Sequence, residues 1–294
     1  MRVFLYSEIL KEENVHLVKD FISDLLSNKI DLCIYSVFKD QLICKLGSLP
    51  DNVSFISNKR EFSSSNIDYV ITLGGDGTIL KAIQIIEDQK VPIIGVNMGR
   101  LGFLSSVEKH KMPDIIPAIL NNNIQCEPRT LLRLNSNLPI FKEAPYALND
   151  FTLHKRDTSS MVTIHVYIND KFLNSYWADG IIVATPTGST GYSLSCGGPI
   201  VFPESGNFVI TPIAPHNLNV RPLIISDTSK LRIHIEGRSE NYMCTLDSKY
   251  ETITSDHEII ITKNNFDIVL ATLEDIDFMR TIRNKLMWGL DKRN

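Results

Sequence analysis

Apolar positions in the first third of the chain fall alternately into short continuous runs and helical stripes. Residues 3–6 form a run suited to a buried strand. Residues 12–26 then place Val15, Val18, Phe21, Ile22, Leu25 and Leu26 at helical spacing. Further strands are predicted over 31–35, 53–56, 69–73 and 92–96, and helices over 39–46, 79–87 and 115–120. Strands that are apolar throughout and alternate with helices predict a parallel sheet covered on both faces. Ligands of such sheets bind outside the carboxyl ends of the strands.

From Cys126 the texture changes to short alternating segments rich in β-branched residues. Strands are predicted over 131–134, 146–153, 162–168, 171–176, 180–184, 208–213, 230–235, 242–246, 258–261 and 267–271. Thr163, His165 and Tyr167 alternate with Val162, Ile164, Val166 and Ile168, and Asn169-Asp170 follows where a hairpin turn would stand. The tail over 278–290 reads as a short helix whose Arg280, Arg283 and Lys285 form a solvated face. The predicted division is an α/β Rossmann-like domain over 1–125, an all-β sandwich-like domain over 126–272, and a C-terminal helical tail over 273–294.

A length of 294 residues fits two domains, or one large one. A net charge of −4 and a pI near 6.0 provide no bulk basic field, which argues against a nucleic-acid partner. The five cysteines are spread along the chain without a C-x-x-C pair, a reduced pattern that fits neither a disulfide framework nor a zinc site. The first residues enter a strand without signal-peptide anatomy, and no apolar run approaches about 18 residues. A soluble cytoplasmic protein with no membrane partner is expected.

The candidate chemistry starts at Val70-Ile71-Thr72-Leu73-Gly74-Gly75-Asp76-Gly77-Thr78. An apolar strand meets a glycine turn, and a helical pattern follows with Thr78 in the place of an N-cap. Glycines let the backbone approach a bulky anion, and amides at a helix start favour negative charge. The spacing is neither the P-loop nor the G-x-G-x-x-G dinucleotide pattern. A carboxylate in a phosphate turn is unfavourable by charge, so Asp76 either holds a magnesium ion or receives a proton from a hydroxyl being phosphorylated. The alternative is an ordinary strand–helix turn; the second glycine, the threonine and the buried strand leading in favour phosphate. A second glycine-bearing turn, Asn97-Met98-Gly99-Arg100-Leu101-Gly102-Phe103-Leu104, lies at another strand end.

Within the β-rich region, the segment from Ala184 to Pro199 gathers glycines and hydroxyls around Tyr192. Its amides and hydroxyls can donate to phosphate, sugar or base edges, and Tyr192 offers a face to a base. A flexible Ser/Gly loop is the plainer reading, but Pro186 and Pro199 stiffen the segment and a strand leads into it. Asn149-Asp150 could read an adenine edge and a ribose hydroxyl, although such a pair alone is most often a turn. His216, in a proline-stiffened stretch, reads as a structural residue because no nucleophile is spaced to suggest a triad.

In this order, Gly74–Thr78, residues 97–104, Asn149-Asp150 and residues 185–199, with residues 211–222 behind them, resemble the NAD kinase family. The match runs from about residue 68 to 247. The resemblance implies transfer of the γ-phosphoryl of ATP to the 2′-hydroxyl of NAD's adenosine ribose. It also implies Mg²⁺, or another divalent ion with ATP, and a homo-oligomer, a dimer or tetramer. Asp76 corresponds to the proton acceptor, and no side chain of this chain is assigned as a metal ligand. Gly74, Gly75, Gly77, Thr78 and Lys81 are implied near the nucleotide, and Asn149 and Asp150 at the adenosine. Ser160, Asp179, Thr187, Thr190, Gly191, Tyr192, Ser193, Leu194, Ser195 and Ala214 are implied to line the dinucleotide site, Asp179 from a neighbouring subunit. Four positions depart from the common pattern: Asp150 replaces glutamate, Gly191 alanine, Trp177 arginine and Lys249 glutamine. The rival readings are a lipid or sugar kinase with the same glycine turn and a non-catalytic dinucleotide sensor.

Overall fold

The computed structural model describes residues 1–156 and 161–288. The chain begins β1 (Arg2–Tyr6), α1 (Val15–Ser27), β2 (Asp31–Tyr35), α2 (Ser36–Leu46), β3 (Ser54–Ile56), α3 (Lys59–Ser63) and β4 (Tyr69–Leu73). It continues α4 (Asp76–Ile86), β5 (Ile93–Asn97), β6 (Val107–Glu108), α5 (Ile115–Leu120) and β7 (Ile124–Arg129). The β-rich part holds β8 (Leu132–Ser136), β9 (Tyr146–Ala147), β10 (Asp150–Lys155), β11 (Val162–Ile168), β12 (Lys171–Ala178) and β13 (Gly180–Ala184). Then come α6 (Tyr192–Ser195), β14 (Asn207–Ile213), β15 (Leu223–Ser226), β16 (Leu231–Glu236), β17 (Tyr242–Leu246), β18 (Lys249–Ile253) and β19 (Glu258–Lys263). The chain closes with β20 (Ile268–Leu273) and α7 (Phe278–Leu286). None of the helices described is long and apolar enough to cross a membrane.

Two compact units result: Met1–Pro128 with the segment from Ile268 onward, and Arg129–Asp267. In the first, the sheet runs β3-β2-β1-β4-β5-β20-β7, with β6 also on β5. β1 pairs in parallel with both β2 and β4, so the order reverses there and opens a crevice at the carboxyl ends of β1 and β4. Val3, Phe4 and Leu5 are buried because helices cover both faces, which is why these strands read as unbroken apolar runs.

The second unit contains two six-stranded sheets, β15-β14-β13-β10-β17-β18 and β12-β11-β16-β19-β8-β9. Alternate residues of both, such as Phe151, Val183 and Cys244 on one and Ile164, Ile233 and Ile261 on the other, meet in a single apolar core. This is sandwich packing. Asn169 (φ +49°) and Asp170 (φ +63°) form the expected hairpin turn between β11 and β12, both left-handed as a two-residue turn requires.

The structure corrects three expectations. The run over 267–271, assigned to the sandwich, is β20 and pairs in parallel with β5 in the first unit's sheet. A buried parallel strand and a sandwich strand are indistinguishable by hydropathy. The run over 146–153 is two strands, because the chain breaks at Leu148-Asn149 and passes from one sheet to the other. The tail helix stops at Leu286, where Met287 turns left-handed (φ +56°), and residues 289–290 lie outside those described.

Candidate functional site

In the first unit, α4 starts at Asp76 itself, with Gly75 as the N-cap residue. Thr78 is therefore not the cap: it lies inside the first turn and its N–H donates to the Gly75 carbonyl at 2.9 Å. Gly74 is needed because a Cβ there would lie 2.0 Å from Thr78 Oγ1. Ser7 joins the two strand ends flanking the crevice, its hydroxyl donating to the Leu73 carbonyl at 2.7 Å. Lys81, further along α4, is ion-paired with Glu8 at the end of β1.

The Asp76 carboxylate reaches across to the second glycine-bearing turn. Oδ2 accepts the Phe103 N–H at 2.9 Å. Oδ1 accepts the Leu104 N–H at 3.1 Å, the Ser105 N–H at 2.9 Å and the Ser105 hydroxyl at 2.8 Å. Asn97 supports this arrangement, donating to Ser105 Oγ at 3.1 Å and accepting the Gly99 N–H at 2.8 Å. A Cβ on Gly102 would lie 1.9 Å from Asp76 Oδ1, so that glycine admits the carboxylate. The two turns read separately in the sequence are thus one constellation. Asp76 stands at the start of a helix, where its charge is favoured, and Oδ2 retains acceptor capacity beyond its single bond.

In the second unit, the break at Leu148-Asn149 meets the segment after β13. The Thr185 N–H donates to the Asn149 carbonyl at 2.9 Å, and Thr185 Oγ1 donates to the Leu148 carbonyl. Gly188 packs so closely that a Cβ would lie 2.0 Å from the Asn149 carbonyl oxygen. Residues 187–190 form a short 3₁₀ turn before α6, so this segment is ordered rather than a linker. Its hydroxyls divide by environment. Ser189 is spent on the Val201 backbone, and Ser193 on Thr211 Oγ1 at 2.8 Å. Thr187 is buried, Thr190 and Leu194 are half-buried, and Ser195 is exposed. Tyr192 presents its ring to solvent at 47% exposure, enough to offer a stacking face.

Asp150 is buried beside this segment and accepts the Thr152 hydroxyl at 3.1 Å. A Cβ on Gly191 would sit 3.7 Å from Asp150 Oδ2, so α6 begins against this carboxylate. Burial, reinforced by the neighbouring Asp247, pushes the Asp150 carboxyl up to about 7. An unfolded aspartate titrates near 3.9, so between about pH 4 and 7 the folded chain holds a proton the unfolded chain has released. Stability from this group therefore falls as pH rises through that window. Asp150→Asn is expected to melt above the wild type at pH 8, with the difference gone by about pH 4. Thermal melts at the two pH values check this.

Asp179 and Ala214 stand at the other end of β13 from Asp150, as the pairing of Asp150 with Ala184 and His154 with Gly180 shows. Asp179 is ion-paired to Lys155 at 2.6 Å, and Ala214 is exposed in a left-handed conformation (φ +44°). Both Asp150 and Asp179 act on the Tyr192 phenol, which is raised chiefly by burial. The His216 ring packs on Trp177 with centroids 4.3 Å apart, a structural role. Ser160 lies outside the described residues. The sequence reading missed Ser105, Glu8 and the amide-holding Asp247; their partners lie 29 to 99 residues away along the chain.

Among the described residues no three His, Cys, Asp or Glu side chains converge as a metal cage.

Models of the ATP-NAD kinase N-terminal and C-terminal domains match residues 7–124 and 148–272. The NAD kinase of Cytophaga hutchinsonii is 42% identical over 99% of both chains. That of Flavobacterium johnsoniae is 40% identical over the whole of both. Among solved structures, yeast NADH kinase complexed with NADH superposes with a TM-score of 0.87 at 25% identity, covering 99% of this chain and 88% of that one. An NAD kinase from Archaeoglobus fulgidus in complex with ATP shares the fold, with a TM-score of 0.73 at 24% identity, covering 98% and 99%.

Proposed function

The chain belongs to the NAD kinase family, and we propose from that premise that it transfers the γ-phosphoryl of ATP to the 2′-hydroxyl of NAD's adenosine ribose, with Asp76 taking the proton. The observation that carries the assignment of roles is the Asp76 carboxylate, oriented by three amides and a hydroxyl at the edge of a glycine turn. Amides of Gly74, Gly75, Gly77 and Thr78 lie at the start of α4, where the helix favours phosphate. Lys81 exchanges Glu8 for the incoming polyphosphate; a half-exposed ion pair of this kind is worth about 0–1 kcal/mol and is readily given up. Bound with ATP, Mg²⁺ would neutralise charge on the transferring phosphoryl group.

Asn149 and Asp150 hold the adenosine, Tyr192 stacks on a base, and Thr187, Thr190, Gly191 and Ser195 border the dinucleotide. The loose transition state demands little proton abstraction before the bond to the leaving group breaks, so positioning counts for more than basicity. Asp76 orients the hydroxyl and receives its proton late. Asp179, a strand length from Asp150, serves a neighbouring subunit in a cytoplasmic dimer or tetramer. The exposed Trp177 and Leu218 near it support an assembly through that end.

Incubation with NAD, ATP and Mg²⁺, followed by an NADP-specific dehydrogenase, tests the function. NADP should accumulate with enzyme; its absence, with NAD still bound, would leave a dinucleotide sensor. Gly102→Ala is expected to lower kcat by about 10²-fold, because the added methyl displaces Asp76. Steady-state kinetics check this, and an unchanged kcat would mean that the observed orientation of Asp76 is not the working one.

A further inference from the structure

Asp247 is a half-buried carboxylate to which the proposed reaction gives no part. It occupies the two-residue turn between β17 and β18 and is left-handed (φ +53°), a conformation aspartate tolerates. Its Oδ2 accepts the Leu148 N–H at 2.8 Å, and its Oδ1 accepts the N–H groups of Asn149 at 2.8 Å and Asp150 at 3.1 Å. Its own N–H donates to the Asp150 carbonyl at 3.0 Å. Leu148-Asn149 is where the chain leaves one sheet for the other, so these amides are not ladder donors there, and Asp247 caps them as a side chain caps a helix start.

We propose that Asp247 is a positioning residue of the dinucleotide site: its carboxylate, accepting three consecutive amides, fixes the Asn149-Asp150 turn that presents both side chains to the ligand. The inference rests on the reading of Asp150 as the ribose contact.

A carboxylate offers two oxygens and so can hold three amides at once, where an asparagine would turn a donor toward one of them. Burial raises the Asp247 carboxyl above its ordinary value, and the Leu148, Asn149 and Asp150 amides and the nearby Lys249 draw it back down. Lys249 is itself anchored on the Ala144 and Tyr146 carbonyls, and burial lowers its ammonium while Asp247 draws it back up. Asp150 receives one hydroxyl bond, from Thr152. With so few bonds of its own, the Asp150 side chain keeps its place through the backbone that Asp247 holds.

The test is steady-state kinetics of Asp247→Asn and Asp247→Ala, beside a thermal melt of each. In Asp247→Ala, KM for NAD is expected to rise about tenfold while kcat and KM for ATP stay within about twofold of the wild type. Asp247→Asn, whose amide oxygen still accepts, should recover part of that loss. A merely structural cap would lower the melting temperature without this split. An unmoved KM for NAD in Asp247→Ala, or in Asp247→Asn where the alanine variant does not fold, overturns the proposal. Failure of the ribose assignment shows separately, as unchanged NAD affinity in Asp150→Ala.

Discussion

Asp76→Asn is expected to bind NAD and ATP as the wild type does and to lose about 10²–10⁴-fold in kcat, the usual worth of a positioned general base. Asparagine has the shape of aspartate, and its one oxygen can still accept from Leu104 and Ser105. Its amide nitrogen, however, would meet the Phe103 N–H in place of Oδ2, donor against donor. The turn should therefore loosen, at a cost of about 1.5–3 kcal/mol for a bond to a charged group, a shift of several degrees in melting temperature. That cost is below the ~4 kcal/mol that a kcat loss of 10³-fold represents, and the melt and the rate report the two separately. Steady-state kinetics beside a thermal melt make the comparison. A variant that turns over at the wild-type rate removes Asp76 from the proton-accepting role, and one that fails to fold returns it to a structural one.

The second large effect is expected at Asp150. Asp150→Ala should weaken NAD binding roughly 10- to 150-fold, because a hydrogen bond to a charged group is worth about 1.5–3 kcal/mol. ATP affinity should stay as it was. The effect depends on pH: the carboxyl exchanges its proton near 7, and the ionised form accepts from ribose hydroxyls without having to shed a proton. The difference between wild type and variant should widen from pH 6 to pH 8 and then level. Calorimetric titration with NAD at three pH values decides it, and a constant, small difference contradicts the ribose assignment.

The glycine turn was legible because its signal is local. A β-branched run, Gly74-Gly75, Asp76 and an apolar helix follow one another within a few residues, and strand, turn and helix each leave their own period. The helix start was misplaced by three residues because Thr78 has the better capping side chain, yet Gly75 has the backbone conformation of the cap. What Asp76 does with its carboxylate was not legible. Its partners at Phe103, Leu104 and Ser105 reach it only through the register of β4 on β5, which no local pattern encodes. Asp247 was hidden more thoroughly. Its acceptor role depends on β10 pairing with β17, nearly a hundred residues on. β20 was placed in the wrong unit because an apolar run says how deeply a strand is buried and not which sheet buries it. β18 went unread because its alternation carries Lys249 at its start and Tyr250 exposed.

Asp179 and Ala214 illustrate a different limit. The resemblance groups them with Asp150 around one dinucleotide, while within one chain they stand at the far end of β13. A strand of five residues spans about 17 Å, too far for one ribose to touch both ends. A single chain read alone therefore displays two partial surfaces, with Tyr192 between them in electrostatic reach of both carboxylates.

A crystal structure with NAD bound decides the role of Asp76 through one distance, from Asp76 Oδ2 to the adenosine 2′-oxygen. Hydrogen-bond reach, about 2.6–3.2 Å, is expected, with the Ser105 donors still on Oδ1. A bound dinucleotide whose 2′-oxygen lies beyond that reach, directed at a different side chain, would contradict it.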